Sequence, residues 1–147
     1  MAWPIINVNA LNQMQGPVTE VERHFLYIGS GTKNVGKLLS VNTQSDFDKL
    51  LGETKSPLKA NVKAAMLNAG QNWTAGVYVL SAQESWIDAV KAAQKTQSFE
   101  AVVLTVPTVT PKAVTDAHAL YQHLIAKYGR WTFMMLALPG IDKTNQK

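Results

Sequence analysis

Four mostly apolar runs punctuate the chain, at residues 24–28, 77–80, 99–106 and 131–138. Runs that are apolar on successive positions are the mark of strands buried on both faces of a parallel sheet. The first, His-Phe-Leu-Tyr-Ile, ends in the glycines of residues 29–31. The third is cut off by Pro107 and the last is stopped by Pro139 and Gly140. A shorter extended piece is predicted at residues 38–41, and Ala75 with Gly76 fits a turn into the second run.

Between the runs, apolar residues recur every three or four positions, the spacing of one helix face. Residues 43–46 offer an N-cap for a short helix through Phe47, Leu50 and Leu51, with Gly52 as its stop. Ser56 followed by Pro57 starts a second helix, whose predicted buried face is Leu58, Val62, Ala65, Met66 and Ala69, with Gly70 as C-cap. A third spans residues 85–95 and places Trp86, Ile87, Val90 and Ala93 together. Thr110 and Pro111 repeat the cap-proline start. The helix after them is expected to bury Val114, Ala117, Leu120, Tyr121, Leu124 and Ile125 and to end at Gly129. Strands alternating with helices in this way predict an α/β domain: a mostly parallel sheet of about four to five strands with helices on both faces.

Residues 1–22 follow another pattern. Trp3, Pro4, Ile5, Ile6, Asn7, Val8, Asn9 and Leu11 alternate weakly between apolar side chains and asparagine, which suits an extended strand with one face to bury. Gly16 and Pro17 then give a hinge signal. An arm of this kind either folds back on its own sheet or adds a strand to a neighbouring molecule, and its apolar residues need a cover. The expected organisation is an arm and hinge at 1–22, an α/β domain at 23–140, and a polar tail or linker at 141–147.

At 147 residues and 46% hydrophobic the chain has the size and composition of one domain with a real core. Cysteine is absent, which excludes disulfides, thiolate metal sites and a cysteine nucleophile. No apolar run approaches the ~20 residues of a membrane span, and the first residues lack a basic region before an apolar core. A soluble, unsecreted protein without membrane insertion is expected. The net charge of +4 arises from 14 Lys and Arg against 10 Asp and Glu, spread thinly without a basic block. Nucleic-acid binding is therefore not expected.

Residues 31–37, Gly-Thr-Lys-Asn-Val-Gly-Lys, match the glycine and lysine spacing of a phosphate-binding loop and follow a strand as such a loop must. The next residue is Leu38, where magnesium would need Ser or Thr, and the following segment reads as extended chain. A phosphate loop works through a helix N-terminus, and none is predicted here. The loop is accordingly read as structural, with a small nucleotide-binding or enzyme domain built on Gly31 to Lys37 as the alternative. A dinucleotide fingerprint beginning at Gly29 fails because Asn34 stands at its third glycine. His24, His118 and His123 are scattered, and the last two lie about 140° apart around one helix. Asp46 and Asp48 suit a helix start, and Trp86 and Trp131 lie in predicted core segments. No catalytic residue, cofactor or metal is expected.

The words of residues 3–13, Trp-Pro-Ile-Ile-Asn-Val-Asn-Ala-Leu-Asn-Gln, and of residues 20–29, Glu-Val-Glu-Arg-His-Phe-Leu-Tyr-Ile-Gly, resemble the start of tail sheath proteins from Mu-like contractile-tailed bacteriophages and prophages. The resemblance implies a non-enzymatic structural subunit that stacks with copies of itself around a tail tube protein. Such subunits are linked by terminal arms that add strands to neighbours, and they shorten together to drive the tube into the host. It further implies a place in the virion tail, after assembly in the host cytoplasm. Residues 3–12 would be a linking strand and residues 15–17 its joint. Sheath proteins are usually longer and carry a second arm, so the chain reads as an N-terminal fragment that would not polymerise normally. Another tail component, such as a completion protein, would share the arm.

Overall fold

The computed structural model describes residues 24–108 and 110–138. The arm, the hinge and the polar tail read from the sequence lie outside them. Five strands, β1 (Phe25–Ser30), β2 (Leu38–Asn42), β3 (Thr74–Leu80), β4 (Ala101–Pro107) and β5 (Phe133–Ala137), form one sheet in the order β2-β3-β1-β4-β5. β1 lies at the centre, parallel to β3 and β4. β5 runs parallel to β4 at one edge, and β2 runs antiparallel to β3 at the other. The helices are α1 (Phe47–Leu51), α2 (Pro57–Ala69), α3 (Trp86–Thr96) and α4 (Pro111–Tyr128). This is the expected α/β architecture.

The strands sort their side chains by alternation. Leu26, Ile28, Val102 and Leu104 point to the side of α3 and α4, where they meet Val90, Leu120 and Leu124. Tyr27, Val77 and Val79 point the other way and meet Phe47, Leu51, Leu58 and Val62 of α1 and α2. Both layers are fully dry at their centres. At ~25 cal/mol per Å² of apolar surface removed from water, they carry most of the drive to fold.

The capping signals act as their residue types require. Asp46 accepts from the N–H groups of Asp48 and Lys49, Ser56 from Lys59, and Ser85 from Ile87. Gly129 ends α4 in the left-handed conformation at φ 63°.

Four details depart from expectation. Ala75 and Gly76 do not form a turn, because both lie within β3 and pair with Phe25 and Leu26 of β1. Gly76 is needed there for space, since a Cβ would sit 2.6 Å from Cζ of the Phe99 ring. Ala69 is exposed at the end of α2. Val114 and Trp131, expected in the core, are 54% and 73% exposed. Both stand by β5, where the sheet ends and no further described element covers them.

Candidate assembly surface

The glycine loop comes first, since it carried the one motif suggestive of catalysis. Residues 31–37 leave β1 and enter β2 directly, so no helix begins behind Lys37. Its amides are committed within the protein: Thr32 N donates to Leu51 O at 3.3 Å, Gly36 N to Val79 O at 2.7 Å and Lys37 N to Asn34 O at 3.2 Å. The Asn34 side chain donates to Leu50 O at 2.9 Å. A phosphate cradle needs convergent free N–H groups, and these have been spent on fixing the loop to α1 and β3.

Open α/β sheets bind ligands at the carboxyl ends of neighbouring strands whose connections leave in opposite directions. Here that place is between β1 and β4, and it is filled with protein. Thr105 Oγ1 donates to Ile28 O at 2.8 Å across it. Leu58 closes it from above, so near that a Cβ on Gly29 would lie 2.8 Å from the Leu58 Cβ.

Several titratable groups are likewise engaged in structure. Asp46 caps α1, and the Lys49 backbone N–H is the main influence holding its carboxyl below the usual range. Asp48 pairs with Lys59. Tyr78 donates to Glu84 at 2.6 Å. Burial, then the Glu84 carboxylate, pushes its hydroxyl up to about 12. Glu84 also accepts from Ser81 and so fixes the turn between β3 and α3. His24 stacks on Phe99 at 5.1 Å, while His118 and His123 are exposed on α4. No cluster of His, Asp and Glu among the described residues has metal-binding geometry.

Among the described residues the β5 edge is left uncovered. Phe133 and Met135 are paired with Ala101 and Val103, and so lie on the side of α1 and α2. They are nevertheless 73% and 48% exposed, and Leu138 just beyond is 73% exposed. On the opposite side, α4 and β5 bound a groove of about 430 Å³ lined by Val114, His118, Tyr121, Trp131, Met134 and Leu136. Phe133 N donates to Glu100 O, and Ala137 O accepts from Thr108 N. Residues 133 and 137 thus turn their main chain toward β4, and the intervening Met134 and Leu136 turn theirs outward. No described strand lies beyond β5 to receive those outward groups.

Natural sheet edges are usually blunted by charge, proline or a bulge that turns the edge away. The eight residues 131–138, Trp-Thr-Phe-Met-Met-Leu-Ala-Leu, carry no charge and no proline. The arm residues Trp3, Pro4, Ile5, Ile6, Asn7, Val8, Asn9 and Leu11 and the hinge residues Gly16 and Pro17 lie outside the described residues. Sequence reading did not mark the uncovered β5 edge, because a run apolar on successive positions reads as a central strand whether or not a neighbour lies beyond it. The missing charges were the available signal.

Residues 3–147 match the model of a family described as DUF2586, N-terminal domain. A curated relative, the "Putative tail sheath protein" of Haemophilus phage HP1 (strain HP1c1), is 48% identical over 144 residues, covering 95% of this chain. The chain spans 38% of that relative's length. No solved structure matches.

Proposed function

The chain belongs to the DUF2586 N-terminal domain family, and on that premise we propose that it is part of a structural, non-enzymatic subunit of a contractile phage tail sheath. The observation that carries this reading is the 48% identity, along nearly the whole chain, to a relative named for a tail sheath. The subunit assembles with copies of itself around the tail tube, linked by arms that exchange strands, and contracts to drive the tube into the host. It works in the virion tail after assembly in the host cytoplasm.

The physical picture is consistent with that task. A subunit that moves as a rigid body needs a dry two-layer core, which the clusters on either side of the sheet supply. It also needs links that hold while the bodies rotate. Main-chain hydrogen bonds between strands suit this, because they fix register without requiring a particular side chain. The crevice between β1 and β4 is packed by Thr105 and Leu58, which gives the nucleotide-binding alternative no support there.

Deleting residues 1–16 tests the linking role. The expected result is loss of assembly in sedimentation while the folding stability of the domain changes by less than about 0.5 kcal/mol. A loss of several kcal/mol would show the arm folded on its own domain.

A further inference from the structure

We propose that β5 is an interior strand of the complete protein: polypeptide following residue 147 in longer family members adds one more right-handed crossover here, its helix seated in the groove beside α4 and its strand pairing parallel to β5. This follows from family membership and holds whether or not the protein serves a sheath.

The hand of the existing connections selects the side. The steps from β3 to β4 and from β4 to β5 go the same way across the sheet, and α3 and α4 lie together on one side of it. The step from β1 to β3 goes the other way, and α1 and α2 lie on the opposite side. Parallel crossovers are almost always right-handed, so a further parallel strand beyond β5 must bring its helix to the side of α3 and α4. The groove of about 430 Å³ opens on that side, between α4 and β5, with Val114, Tyr121, Trp131, Met134 and Leu136 along it. A helix there would cover Val114 and Trp131, which are exposed without it.

The edge itself offers the place for the strand. Met134 and Leu136 turn N–H and C=O groups away from β4, and no described strand lies beyond β5. Residues 131–138 hold no charge and no proline, the composition of a strand with neighbours on both sides.

Chain length and connectivity select the occupant. A crossover to a parallel strand takes a dozen or more residues, and the strand about five more. The nine residues 139–147 are too few. The match to an N-terminal domain runs to residue 147, and the chain spans only 38% of the Haemophilus phage relative, so such proteins have ample chain beyond this point. Residues that follow β5 in the same polypeptide are tethered beside this edge and meet it at an effective concentration on the order of millimolar. A lone strand from elsewhere would satisfy the main chain and leave the groove open.

The test uses the complete reading frame, held dilute so that it does not assemble. Val114→Cys places a thiol in the groove, and Leu67→Cys places one on α2 where the native side chain is 71% exposed. Labelling with a small maleimide is read by mass spectrometry at the peptide carrying each position. Position 114 should react at least about ten-fold more slowly than position 67, at every dilution and also after deletion of residues 1–16. In the unsubstituted protein, the Met134 and Leu136 amides should exchange hydrogen as slowly as those of β4. Comparable labelling at the two positions, or fast exchange at Met134 and Leu136, would overturn the proposal. Protection that disappears on dilution would overturn it in favour of a second copy, and protection lost with residues 1–16 in favour of the arm. Each of these failures leaves the sheath reading intact, since electron microscopy of the assembled protein tests that separately.

Discussion

Gln94 is the residue whose replacement should reveal how the edge strand is held in place. It is 2% exposed on α3, and its amide grips the turn that leads into β4. Nε2 donates to Phe99 O at 2.9 Å and Oε1 accepts from Phe99 N at 3.3 Å. Arg130, on the approach to β5, donates through Nη1 to both Oε1 and the main-chain oxygen of Gln94, each at 3.3 Å. Gln94→Met keeps the length of the side chain but leaves the Phe99 N–H and C=O in a dry core. A buried donor or acceptor left unpaired costs about 1–3 kcal/mol. Thr132 Oγ1, 3.5 Å from Phe99 O, makes good part of one loss, so the sum should be about 2–4 kcal/mol. For a domain of this size each kcal/mol moves the midpoint by about 4 °C, so Tm should fall by roughly 8–16 °C. Thermal and urea unfolding followed by circular dichroism would measure it. A loss under about 0.5 kcal/mol would refute the reasoning, since a group that tolerates removal of both bonds was not buried and paired as described.

Two further outcomes follow from the same geometry. Gly29→Ala should destabilise the domain by about 1–3 kcal/mol in urea unfolding, because the new Cβ would meet Thr105 and Leu58 in the filled crevice between β1 and β4. An unaffected protein would mean that the crevice has room to spare. Asp46→Asn should lower Tm at neutral pH and have no effect in strong acid. The folded-state carboxyl lies below its ordinary value of 3.8, so its stabilisation is present above that value and is lost as pH falls through the lowered one. A difference from the parent protein that persists unchanged at low pH would contradict the charged-cap account.

The elements of the fold were legible where local chemistry fixes them. Asp46, Ser56 and Ser85 announce helix starts through their side-chain oxygens, and Gly52, Gly70 and Gly129 announce ends through the backbone freedom that glycine alone has. Parallel pairing could be inferred from runs such as residues 101–104, apolar on every position. Gly76 misled because a glycine before an apolar run is a turn signal, whereas here Phe99, distant in sequence, demands the missing side chain. Trp131 and Val114 misled because periodicity reports which side chains need cover and does not report what supplies it. The loop at 31–37 was read as structural from Leu38 and from the extended segment that follows it in place of a helix, and its hydrogen bonds to Leu51 and Val79 supply the physical reason. The arm could be read only as an expected strand in need of a partner, and it lies outside the described residues.

The central claim is that this domain serves a self-assembling tail sheath, and negative-stain electron microscopy of the protein expressed from its complete reading frame tests it most directly. Hollow tubes or stacked rings are the predicted result. Small uniform particles that persist at high concentration would contradict it.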